Sequence, residues 1–177
     1  MVFPMAPKLH MLINIVLFQI GWLSCVLGAS EGKPFLGPIC VLIIVLLHLA
    51  LAQSRINELK MITQVTVIGA MWESLMITTG LLTYLNGMIF EYFPPYWIIA
   101  MWFLFATTLN VSLRWLHHRM GLASVMGLIF GPTTYYAGAK LGGVSFTDPT
   151  VSIIVVAISW AILLPIIVFF ARRLDTF

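Results

Sequence analysis

Apolar residues fall in six long blocks along the chain, separated by short polar or turn-forming breaks. A bilayer core of about 30 Å takes about 20 apolar residues in helical form. Blocks near 9–28, 35–53, 61–83, 94–116, 121–143 and 151–171 meet that length. Backbone groups in lipid must be paired internally, so helices are expected. The alternating ten-residue segments of a membrane barrel are absent.

The breaks carry the right chemistry. Gly32-Lys33-Pro34 separates the first two blocks. Glu91-Tyr92-Phe93-Pro94-Pro95-Tyr96-Trp97 opens the fourth and brings aromatics to interface depth. Phe146-Thr147-Asp148-Pro149 precedes the sixth, where Asp148 or Thr147 is placed to cap the helix. The expected fold class is all-α: a polytopic transmembrane bundle of six helices, forming a single integral membrane domain over residues 1–177.

Composition supports this and narrows it. Hydrophobic residues make up 61% of the 177-residue chain and charged residues 8%. A soluble domain carries about 25% charged residues, so these few cannot form a water-facing shell. Mean hydropathy is +1.05. A net charge of +3, scattered along the chain, gives no nucleic-acid footprint. Its use is topological. With six spans, Lys8, Arg55, Lys60, Arg114, Arg119, Arg172 and Arg173 share one side, and Lys33 and Lys140 share the other. By the positive-inside rule both termini are then cytoplasmic.

The first block is read as a retained span. A cleaved lipoprotein leader is suggested by Trp22-Leu23-Ser24-Cys25, but Trp22 stands where such sites have leucine. The apolar run also continues past Cys25, and Asn14 and Gln19 interrupt it. Cys25 and Cys40 make neither a disulfide framework nor a zinc site, and read as two small buried thiols.

Ionisable groups inside spans carry the functional expectations. Glu73 is placed near the middle of the third span, with no lysine or arginine at matching depth. It reads as a proton carrier, cation ligand or catalytic acid, or else as a neutral carboxyl bonded to a neighbouring helix. Asn110, Arg114, His117 and His118 form an i, i+4, i+7, i+8 stripe on the fourth span. Together with His48, Asn14 and Gln64 they are expected in the cytoplasmic half of the bundle. If they converge, they make a polar cavity in which Arg114 holds a head group, carboxylate or phosphate. Otherwise Arg114 and Arg119 only anchor the helix at the interface. In the fifth span, Gly131 and Pro132 sit within a run of small residues and read as a hinge, or as tight packing around a kink.

Several chemistries are argued down. Four histidines are too few for the boxes of membrane di-iron oxygenases. HExxH, the rhomboid-type GxSG, the paired-glutamate EExxxR of abortive-infection-type proteases and Walker-type phosphate loops are all missing. Asn110-Val111-Ser112 matches a glycosylation sequon but lies inside a span. No metal and no cofactor is called for.

Certain strings resemble an uncharacterised bacterial membrane family, domain of unknown function 2878. They are Gln19-Ile20-Gly21-Trp22 through Cys25-Val26-Leu27-Gly28, His48-Leu49, Glu73-Ser74, Trp102 with Phe105-Ala106-Thr107-Thr108-Leu109, and Gly131-Pro132 with Tyr136-Ala137-Gly138. The resemblance covers nearly the whole chain and implies a bacterial inner-membrane protein. It also implies an association with lipid modification, because family members are often encoded beside genes similar to cyclopropane-fatty-acid synthases. It supplies no catalytic residues.

Three functions therefore compete. The first is an accessory to fatty-acid or lipid modification, with the bilayer, a lipid or fatty-acyl ligand and a lipid-modifying enzyme as partners. The second is a small proton-coupled transporter with Glu73 as the protonation site. The third is a non-catalytic scaffold that docks a soluble enzyme through Arg55, Glu58, Lys60 and the His117–Arg119 loop.

Overall fold

The computed structural model describes residues 6–175. Six α-helices account for most of them: α1 (Pro7–Ser30), α2 (Leu36–Leu51), α3 (Arg55–Thr78), α4 (Tyr96–Leu109), α5 (Met120–Lys140) and α6 (Pro149–Arg173). Two short strands, β1 (Leu82–Thr83) and β2 (Ser145–Phe146), pair antiparallel, with Leu82 opposite Phe146 and Thr83 opposite Ser145. Three helices, α1, α3 and α6, are long and apolar enough to cross a membrane, while α2 and α4 are shorter apolar helices.

The helix ends follow local rules. Pro7 and Pro149 stand at the start of α1 and α6, where their missing N–H costs nothing. Asp148 caps α6 as expected: its Oδ1 accepts from the amides of Thr150 and Val151 at 3.0 and 3.1 Å. Helices α3 and α5 close in Schellman motifs. Gly80 and Gly142 adopt φ of 71° and 82°. The next amides, of Leu81 and Gly143, return to the carbonyls of Met76 and Gly138. α1 closes in the same way, from Lys33 to Gly28.

Cross-links place these ends. The amide of Asn86 reaches the Ala29 carbonyl, and the Ser152 hydroxyl reaches the Leu81 carbonyl. The ends of α1, α3 and α5 and the starts of α4 and α6 therefore gather at one end of the bundle. At the other end, Asn14 of α1 bonds the Thr107 carbonyl of α4, and Arg172 of α6 bonds the His117 carbonyl. Successive helices run up and down.

Two expected spans end early. The third was expected at 61–83, but α3 begins at Arg55 and stops at Thr78, because Gly80 terminates it and β1 follows. The fourth was expected to run to 116, but α4 stops at Leu109. Asn110 is its C-cap, and a turn and one 3-10 turn (Arg114–Leu116) follow. The Asn110-to-His118 stripe consequently does not lie on one helix. Pro132 does not break α5, which runs unbroken from Met120 to Lys140.

Helices pack by close approach at small residues, the usual device where lipid replaces water as the competing solvent. A Cβ on Gly127 would sit 2.1 Å from the Trp160 carbonyl oxygen, and one on Gly131 would sit 2.5 Å from Trp160 Cγ. Gly69 gives the same room to the Trp102 ring, 2.0 Å from a hypothetical Cβ. Trp102 and Trp160 stack, with centroids 5.5 Å apart and planes 12° apart. Cys25 and Cys40 are both free thiols.

Candidate functional site

Three clusters of ionisable and polar side chains stand apart in the bundle. The first is built on Glu73, which lies in the last two turns of α3 rather than mid-helix, because α3 is displaced relative to the expected span. It belongs to the end of the bundle that holds the β1–β2 pair, and it is 1% exposed. Its Oε2 accepts from the Tyr84 hydroxyl at 2.8 Å, and its Oε1 accepts from the Tyr135 hydroxyl. Tyr84 is presented by the segment after β1. That segment is fixed by the strand pair and by the bond from Trp97 Nε1 to the Asn86 carbonyl at 3.0 Å. Tyr135 comes from α5, one turn beyond Gly131.

Glu73, Tyr84 and Tyr135 line a cavity of about 390 Å³ between α1, α4, α5 and α6. On α5 the lining residues recur as Met126, Gly127, Phe130, Gly131, Thr134, Tyr135 and Gly138, a single helical face. On α1 they are Phe18, Gln19, Trp22 and Val26. Of these, Gln19, Phe130 and Thr134 are exposed, so the cavity opens sideways between α1 and α5. Its far wall contains Leu113, Leu116 and Leu164, toward the opposite end of the bundle. Four of the chain's six tryptophans line it, which makes the wall aromatic rather than merely aliphatic. Trp160 Nε1 is buried and has no hydrogen-bond partner among the described residues. Among the described residues no Lys, Arg or His lines the cavity.

The second cluster lies where α2, α3 and α4 meet at the other end. His48 Nε2 donates to Glu58 Oε1 at 2.7 Å, and Asn110 Nδ2 donates to Glu58 Oε2 at 3.2 Å. All three are buried, Glu58 and Asn110 completely. Glu58 therefore cannot belong to the exposed docking face expected beside Arg55 and Lys60.

The third cluster is near the surface. Arg114 Nε donates to Asp175 Oδ2 at 2.7 Å, and the Arg114 side chain is 49% exposed. His117 Nε2 donates to the Leu109 carbonyl at 3.0 Å, and its Nδ1 lies 3.7 Å from the same Asp175 oxygen. Burial holds the His117 ring below the ordinary histidine value, against the opposing pull of the Leu109 carbonyl and Asp175.

The residues expected to converge are thus divided. Glu73 and Gly131 line the cavity, Gly131 by admitting Trp160. His48 and Asn110 meet Glu58 instead. Arg114 and His117 meet Asp175. Gln64, His118 and Arg119 are exposed, and Asn14 bonds the backbone of α4. The cavity's tyrosines, tryptophans and Gln19 were not singled out as site residues. The available signal was the recurrence of small and aromatic residues at helical spacing along α5, Gly127, Gly131, Tyr135 and Gly138.

A family model described as "Protein of unknown function (DUF2878)" matches residues 11–166. No curated protein and no solved structure matches the chain.

Proposed function

We propose, starting from the fact that the chain belongs to this family of unknown function, that it is a multi-pass bacterial inner-membrane protein that takes an apolar chain, lipid or fatty acyl, sideways from the bilayer into the aromatic cavity. The observation that carries this reading is the cavity itself: enclosed by aromatic rings, open between α1 and α5, and holding a buried carboxyl at one end. Its volume lies within the range of small-molecule sites, about 300–1,000 Å³.

The six-span, N-in/C-in arrangement is part of the proposal. The up-and-down course of the helices brings the seven Lys and Arg residues of the expected cytoplasmic side to one end of the bundle. Large aliphatic side chains on α6 at Val151, Ile154, Ile158, Ile162 and Ile166 are exposed along one stripe, a surface suited to lipid. Helix α4, at 14 residues and about 21 Å, is short for a hydrocarbon core. The turn at 110–116 completes the crossing inside the protein, where irregular backbone is tolerated. In this reading Glu73 lies toward the outer leaflet, and the chain of the ligand runs inward past Phe105 and Met126 to Leu116.

Lipid modification is the proposed context, with this protein presenting or storing the acyl chain for a partner enzyme. The test uses tryptophan quenching in bilayers of brominated lipid. Entry of a brominated chain quenches the cavity tryptophans, and Gly138→Phe relieves that quenching by filling the space beside Val144. Equal quenching in both proteins overturns the reading.

A further inference from the structure

We infer that the cavity selects an amphiphile with a cationic head, an ammonium or quaternary ammonium group carried on an apolar chain, and that Glu73 with its surrounding aromatic rings is the head-group site. This rests on the acyl-chain reading above and adds the charge of the ligand to it.

Among the described residues, Glu73 brings the only carboxyl group to the cavity wall, and no lysine, arginine or histidine joins it there. A phosphate or carboxylate head would meet no cation there, only a carboxyl group. An anionic head would therefore be buried beside a carboxyl group with no cation to pair it, which is strongly unfavourable. Both carboxyl oxygens of Glu73 are held by neutral phenol donors, Tyr84 and Tyr135. These fix its orientation and bring no positive charge to the site, so a cationic head would supply the charge that the walls lack.

The walls point the same way. Cations are attracted to aromatic faces, and aromatic cages are the recurring solution for quaternary ammonium groups. Tyr135, Trp160 and Trp102 form a continuous aromatic surface beside Glu73: Tyr135 lies 6.5 Å from Trp160, which stacks on Trp102. On the other side Tyr84 meets Trp97 edge-on at 5.6 Å. An aliphatic wall would serve an acyl chain equally well, whereas a carboxyl set among these rings matches a cation specifically. The apolar remainder of the cavity, toward Leu113 and Leu116, takes the tail.

The experiment titrates the purified protein in maltoside micelles with tetradecyltrimethylammonium and, separately, with tetradecyl sulfate at equal micellar mole fraction. Intrinsic tryptophan fluorescence is the readout. Saturation by the cation at a mole fraction at least about tenfold lower than the sulfate, with Glu73→Gln abolishing the difference, supports the inference. Equal response to both amphiphiles overturns the cationic head and leaves the acyl-chain cavity standing. No saturable response to either overturns both. Tetramethylammonium is the third arm. Binding as tight as that of the long-chain cation keeps the cation site and overturns the tail. Should Glu73→Gln fail to fold, the discrimination between cation and sulfate by the unaltered protein decides alone.

Discussion

Two buried glutamates, Glu58 and Glu73, occupy opposite ends of α3, and their surroundings differ in kind. Glu58 is gripped by His48 and Asn110 and does not line the aromatic cavity. Glu73 is gripped by two phenols and forms part of a cavity wall. A carboxyl closed in by an imidazole and an amide fixes helices to one another. A carboxyl oriented by neutral donors beside open space remains able to meet something else. Burial alone does not separate the two, since both are essentially fully buried. The partners and the adjoining space do.

The largest expected effect tests the structural half of this contrast. Glu58→Leu takes away the acceptor that joins α2, α3 and α4 and leaves buried donors short of it. Each such loss costs about 1–3 kcal/mol, so roughly 3 kcal/mol of stability should go. The thermal midpoint in maltoside should fall steeply. Glu73→Gln keeps the shape and one acceptor oxygen, and its NH2 can donate to the second tyrosine oxygen once that hydroxyl turns, so it should lower the midpoint far less. If the two variants melt alike, the contrast between anchor and site fails.

Gly127→Val comes next. The new Cβ meets the Trp160 carbonyl, which is backbone and cannot swing aside. Overpacking of this sort costs typically 1–3 kcal/mol, and it displaces the cavity wall while leaving the Glu58 cluster alone. Brominated-lipid quenching should drop by more than stability does. Unchanged quenching would detach α5 from the cavity.

Much of this was legible in the sequence, and the failures have physical causes. Six helical blocks, the Asp148 cap and the placing of Glu73 inside the bundle follow from apolar length, turn residues and an ionisable group in an apolar run. The depth of Glu73 was misplaced because α3 starts at Arg55, inside a segment whose Glu58 and Lys60 resemble a solvated loop. Only the tertiary bond to His48 shows that Glu58 is buried. The fourth span was drawn too long because Asn110-Val111-Ser112-Leu113 has no helix-breaking residue. What ends α4 there is the recruitment of Asn110 by Glu58, a partner 52 residues away in sequence. The tyrosine pair at Glu73 was invisible for the same reason: Tyr84 and Tyr135 are brought to one carboxyl only by the β1–β2 pairing and the α5 packing.

Arg114→Ala sharpens the comparison by its weakness. Arg114 was expected either to hold an anionic ligand or to anchor its helix at the interface, and it faces Asp175 with its side chain half exposed. Exposed ion pairs contribute about 0–1 kcal/mol, so the variant should lose little stability. Quenching by brominated lipid should be unchanged, because Arg114 lines no part of the cavity. A loss of quenching would return Arg114 to the site and extend the ligand to the far end of the bundle.

The smallest effect concerns His117, which sits between α4 and α5 close to Asp175, Arg114 and His118. Burial lowers its pKa below the ordinary 6.5, and this outweighs the Leu109 carbonyl and Asp175, which favour the charged ring. The unfolded chain therefore binds a proton here at a pH where the folded chain still resists it. Stability from this group is complete above about 6.5 and declines as the pH falls through that value, because protonation favours the unfolded state. The thermal midpoint of the protein should drop slightly on acidification from pH 7.5 to 5.5, and His117→Gln should flatten that part of the curve. A midpoint that rises on acidification, and stops rising in the variant, would mean that Asp175 dominates and that this corner is held by a charged pair. It would then resemble the gripped end of α3 rather than a neutral ring packed against a carbonyl.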